Sequence, residues 1–146
     1  MMEQKYVCIL LILCFGWAMS SCSEDDAQPD LANPQISNIE IGYDNRKEGK
    51  VGEDFHFNAD IVAGEKIKTL TVQMLQKQDQ SYTEEWEYFV EWNEYKGLKN
   101  TNVHKHFTIP ENAPIGAYDF IFTVVDTNGT HLQLKEDFYI INEETI

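Results

Sequence analysis

Tyr118-Asp119-Phe120-Ile121-Phe122-Thr123-Val124-Val125-Asp126-Thr127-Asn128-Gly129 is the stretch that decides how this chain folds. Residues 118, 120, 122 and 124 are apolar, while 119 and 123 are polar, a period of two that places one face inside and the other in water. Asn128-Gly129 then marks a hairpin, because both residues tolerate positive φ. Beyond the turn the alternation resumes. Leu132, Leu134, Phe138 and Ile140 interleave with Gln133, Lys135 and Asp137.

The same period runs through the chain on the N-terminal side. Leu70, Val72 and Met74 alternate with Thr69, Thr71 and Gln73; Phe55, Phe57, Ala59 and Ile61 alternate with Asp54, His56, Asn58 and Asp60; Ile39 and Ile41 flank Glu40. Gly64-Glu65 and Pro114-Ile115-Gly116 mark other corners. About seven short strands with turns at this spacing predict an all-β fold, an antiparallel β-sandwich. Residues 84–96 read as either a strand or a short helix, since Trp86, Tyr88, Val90 and Trp92 alternate but the segment is short.

Pro110-Glu-Asn-Ala-Pro114-Ile-Gly116-Ala-Tyr118, continuing to Gly129, resembles the penultimate strand of immunoglobulin-like domains. Tyr118 sits where a corner tyrosine would, its ring buried and its hydroxyl free to bond backbone. With His104-Lys-His106-Phe-x-Ile-Pro110 upstream, residues ~35 to 142 resemble an uncharacterised family of small Bacteroidetes surface lipoproteins. The resemblance implies an immunoglobulin-like sandwich and a surface location. It brings no established activity.

Residues 1–21 read as a signal peptide: Lys5 precedes an apolar run from Tyr6 to Met19, too short for the roughly 20 residues that span a bilayer. Met19-Ser20-Ser21-Cys22 resembles the bacterial lipoprotein cleavage site, which implies acylation of Cys22, as with palmitate, and a membrane anchor there. Cys22-Ser-Glu24-Asp25-Asp26 resembles the acidic export tag of surface lipoproteins, implying an outer-membrane, cell-surface location. Residues 22–35 follow as an acidic flexible tether, with Pro29 and Pro34, able to reach ~45 Å when stretched. The sandwich domain is then expected over 36–146.

The 146 residues carry 11 Lys+Arg against 25 Asp+Glu, a net charge of −14. Signal removal deletes only Lys5 and Glu3 as charged residues, so the charge belongs to the remainder. A chain this acidic repels a phosphate backbone, so no nucleic-acid partner is expected. With 42% hydrophobic residues it can still build a core. Of its 3 cysteines, Cys8 and Cys14 fall in the signal, leaving no disulfide. Past the tether the serines are Ser37 and Ser81, neither in a nucleophile elbow, and no phosphate loop appears. The chain does not read as an enzyme.

Histidine placement is more specific. His104 and His106 are two apart and project from one strand face, opposite the register of Val103, Phe107 and Ile109. Lys105 is the outlier in that register. His56 alternates with Phe55 and Phe57 and so faces outward too. In an immunoglobulin-like order the second and fifth strands are neighbours. If residues 53–62 and 102–109 are those strands, three imidazoles share one surface, with Asp54, Asn58 or Asp60 nearby. That donor set suits Zn²⁺, Cu²⁺ or Ni²⁺ and leaves a coordination position open. A polar strand face with no metal accounts for the same spacing. His131, just past the hairpin, reads as a solvated strand start.

The segment Glu84–Tyr95 offers an alternative. Trp86, Tyr88 and Trp92 among acids could stack against sugar rings or a protein partner. A half-buried strand whose rings close the core explains them equally. Asp126-x-Asn128-Gly129 lacks most ligands of a calcium loop, and a hairpin suffices. The expectation is therefore a lipid-anchored binding or accessory module. Its ligand is a transition metal at His56, His104 and His106, serving an outer-membrane uptake component; the alternatives are a glycan- or protein-binding module and a spacer.

Overall fold

The structure, a computed structural model, describes residues 31–142. The expected signal peptide, Cys22 and the greater part of the expected tether lie outside the described residues. Among the described residues eight strands form: β1 (Gln35–Ile41), β2 (Glu48–Lys50), β3 (Asp54–Val62), β4 (Ile67–Gln76), β5 (Glu87–Glu91), β6 (Asn100–Thr108), β7 (Gly116–Asp126) and β8 (His131–Ile141). They make two sheets, ordered β1-β3-β6 and β2-β8-β7-β4-β5. The sheets pack as a sandwich, so the expected all-β class is the observed one.

Alternation explains the packing directly. β3 and β7 turn Phe55, Phe57, Ala59 and Ile61, and Tyr118, Phe120, Phe122 and Val124, to the interior. Phe57 meets Phe120 and Phe122 across the sandwich at 5.5 and 4.9 Å between ring centroids, and Phe55 meets Phe138 edge-on at 5.3 Å. Tyr118 is fully buried and donates its hydroxyl to the Pro114 carbonyl at 2.6 Å, as expected of a corner tyrosine. Burial pushes its pKa up to about 12.

Three details depart from the sequence reading. The three-residue β2 makes eight strands instead of about seven, and it runs parallel to β8, so the ladders are not all antiparallel. Its short Glu-Gly-Lys segment carries no alternation to betray it. Residues 84–96 resolve into strand β5 followed by a 3₁₀ turn at Asn93–Tyr95, so both readings held a part. At the β7–β8 hairpin only Gly129 takes positive φ, at 92°. Asp126 N–H donates to the Thr130 carbonyl and Gly129 N–H to that of Asp126, a three-residue turn ending in a left-handed glycine.

The chain enters the sandwich earlier than the 35/36 boundary expected. Gln35 already pairs with Val62, Pro34 is buried, and the Ala32 carbonyl accepts from Asn128 Nδ2 at 2.9 Å and Thr130 Oγ1 at 3.2 Å. Gly64 makes room for this strap: a Cβ there would lie 1.9 Å from the Ala32 oxygen. One end of the sandwich thus gathers Leu31–Pro34, the β3–β4 turn and the β7–β8 hairpin.

Candidate metal centre

β3 and β6 pair antiparallel with His56 opposite His106 and Asn58 opposite His104. They are the third and sixth strands, but adjacent as the second and fifth were expected to be. All three histidines therefore share the outer face of the three-stranded sheet. His56 Nδ1 lies 3.3 Å from His106 Nε2, and His104 Nε2 lies 3.1 Å from the same atom. One ring nitrogen from each residue falls within a common 4.8 Å. Two donors bound at ~2.1 Å to a tetrahedral metal sit ~3.4 Å apart, so the two short separations are close to the spacing a zinc ion requires.

On two of the three rings the other nitrogen is held from behind. His106 Nδ1 contacts Asp54 Oδ2 at 2.6 Å, and His56 Nε2 contacts Glu40 Oε2 at 3.3 Å. A carboxylate only accepts, so each imidazole turns its N–H toward its carboxylate. An imidazole turned that way, when neutral, offers the lone pair of its other nitrogen to a cation. Carboxylates behind metal-binding histidines serve this orienting purpose widely. Of the three groups expected nearby, Asp54 alone joins the cluster; Asp60 is engaged by the Asn38 and Asn102 amides, and Asn58 by the Asn38 carbonyl and Asn102.

Sequence reasoning missed Glu40 and Tyr43. Tyr43 donates its hydroxyl to Asp54 Oδ2 at 2.5 Å and stacks on His56, with centroids 5.6 Å apart and planes at 25°. That hydrogen bond, then the one from His106, holds the Asp54 carboxyl below its usual range. The same bond raises the Tyr43 phenol. Glu40 reaches His56 because of a bulge. Ile36 faces inward, and so do Ile39 and Ile41, which strict alternation forbids; Asn38 at φ 49° absorbs the extra residue between Ser37 and Glu40. The phase slip from Ile36 to Ile39 is the sequence signal that could have shown it.

Lys105, the outlier on β6, turns away from the histidines. It pairs with Glu94 and lies over the rings of Trp92 and Tyr95 at 5.7 and 5.2 Å. His131 opens β8 and is exposed, as expected.

The aromatic segment is used inside. Trp92 is buried, Tyr88 stacks on Phe107 at 5.3 Å and 6°, and Trp86 meets Tyr118 edge-on at 5.5 Å. Glu87 and Glu91 face water. The exposed ring of β5 is Phe89, not one of the three singled out.

The sequence model of the family described as "Domain of unknown function (DUF4625)" matches residues 20–141. The chain belongs to that family. No curated protein matches it. Among solved structures, a Niemann-Pick type C2 protein from the Japanese carpenter ant is similar to this DUF4625 member with a TM-score of 0.53 at 8% identity, over 75% of this chain and 93% of that one. Spo0M, a sporulation control protein from Bacillus subtilis, reaches 0.44 at 12% identity, over 75% of this chain and 49% of its own. At such identities the first likeness concerns the fold alone.

Proposed function

We propose that this protein is a binding module for a divalent transition metal, zinc or copper, carried on a lipid anchor at Cys22 on the outer-membrane surface, and not a catalyst. The observation that carries the metal is the convergence of His56 Nδ1, His104 Nε2 and His106 Nε2, two of them with carboxylates behind the opposite ring nitrogen. Three imidazoles without a thiolate suit zinc and copper better than calcium or magnesium, which want oxygen. The run from Met19 to Asp26 supports the anchor.

Calorimetry on protein purified without a histidine tag tests the metal. Zn²⁺ or Cu²⁺ should bind wild type and give no binding heat with the His104→Ala, His106→Ala double variant. Equal heats from both proteins would defeat the assignment. Labelled palmitate should enter the wild-type chain in a bacterial host that processes lipoproteins, and not a Cys22→Ser variant; equal incorporation would remove the anchor.

A further inference from the structure

A metal held by three side chains on a flat sheet face differs from one enclosed as a structural cross-link, and the difference bears on what the site is for. His104 and His106 are exposed and His56 is half-buried. All three come from two neighbouring strands, β3 and β6, so they approach the metal from one side. Among the described residues no fourth histidine, cysteine or carboxylate joins the group, and Asp54 and Glu40 are engaged on the far ring nitrogens. Structural zinc sites close their tetrahedron with protein ligands, whereas a site with three protein ligands keeps a fourth position open to water or an incoming donor.

The three ligands are also unequal. His56 and His106 are each backed by a carboxylate, which fixes ring orientation and strengthens the nitrogen as a donor. Among the described residues no carboxylate backs His104. The weakest tie is therefore on the strand at the sheet edge, facing water.

The site also stands clear of the strap end. His56 precedes Val62, the β3 residue paired with Gln35, by six residues, or ~20 Å of strand. Ala32 is tied to the hairpin at that same end. The metal face is thus displaced from where the N-terminal segment joins the sandwich.

We infer that the three-histidine site is a hand-over site, passing its metal to an acceptor of stronger chelating chemistry by ligand addition at the open position. A nitrogen, oxygen or sulfur donor of the acceptor forms a bond to the metal with its own lone pair. His104 Nε2 then leaves with its electron pair, and His106 and His56 follow as further acceptor donors bind. The metal keeps its oxidation state throughout. The inference rests on the proposed metal binding, and it makes the partner a metal acceptor instead of a structural neighbour.

Transfer kinetics distinguish the two. The zinc-loaded full chain is mixed with excess 4-(2-pyridylazo)resorcinol, and formation of the coloured zinc complex is followed by stopped flow. Ligand addition predicts a transfer rate that rises in proportion to chelator concentration. A rate independent of chelator means that zinc must first escape unaided, which overturns the hand-over while leaving the metal site standing. A wild-type chain that takes up no zinc in calorimetry overturns both.

Discussion

Asp126 begins the β7–β8 hairpin with none of its surface exposed, and its carboxylate accepts from Glu65 N–H at 2.8 Å, Asn128 N–H at 3.1 Å and Lys66 N–H at 3.2 Å. Burial alone would push this carboxyl up, but the three backbone donors outweigh it and hold the group below its usual range. Asp126→Ala leaves two or three donors without a partner and should cost about 3 kcal/mol, at ~1–3 kcal/mol per buried unsatisfied group. Because the folded-state pKa is lowered, this stabilisation is full above the unfolded carboxylate range and is lost as pH falls through the folded value. Urea unfolding across acid pH should therefore show the gap between wild type and Asp126→Asn narrowing as pH falls. A gap independent of pH would refute the carboxylate's role. Sequence showed the turn here but not the reach to Glu65 and Lys66, some sixty residues away. Tyr43 was equally hidden, since it opens a three-residue 3₁₀ turn, Tyr43–Asn45, eleven residues before its partner Asp54. Tyr43→Phe removes only the hydroxyl that steadies Asp54, so the fold should persist while zinc affinity drops about tenfold, the lower end for such outer partners. Calorimetry reads that directly, and an unchanged affinity would deny Tyr43 the role.

The strands that alternate were legible, and those that do not were not. β3, β4, β7 and β8 could be drawn from apolar spacing because each has one face on the core. β2 could not, being three residues held by its neighbour β8. β1 was half legible: its inward residues were visible, but the bulge at Asn38 that aims Glu40 was not read from them. β6 is an edge strand, and its odd residue now has a physical account. Lys105 spans the strand's margin to Glu94 and covers Trp92 and Tyr95, placing a charge where a second β-strand would otherwise dock. Lys105→Val removes that charge, keeps β-propensity and bares the rings. The variant should sediment as larger species than wild type at equal concentration, as sedimentation velocity would show. Identical sedimentation of the two would mean that the edge is guarded by something other than Lys105.

At the scale of the whole molecule, the sequence specified one sandwich and placed three histidines on one of its outer faces, because period two alone decides which side a residue faces. It could not give their separation, which depends on the β3–β6 register, nor the Glu40 carboxylate supplied from β1, and among Asp54, Asn58 and Asp60 it did not single out Asp54. That assembly exists only when β1, β3 and β6 are paired, so a metal that needs it binds the folded chain and not the unfolded one. Binding of that kind adds RT ln(1 + [L]/Kd), about 2.7 kcal/mol at a hundredfold excess over Kd. For a domain of this size a gain of that order should raise Tm by on the order of 10 °C. Zn²⁺ should therefore shift thermal unfolding upward in wild type and in His131→Ala, whose histidine stands outside the cluster at the start of β8. The shift should vanish in His56→Ala. That variant removes one of the proposed ligands but leaves the His104-Lys105-His106 run intact, so it separates the folded three-residue site from simple local chelation. A full shift in His56→Ala would show that the His-x-His pair alone binds the metal and that the cross-strand site does not operate.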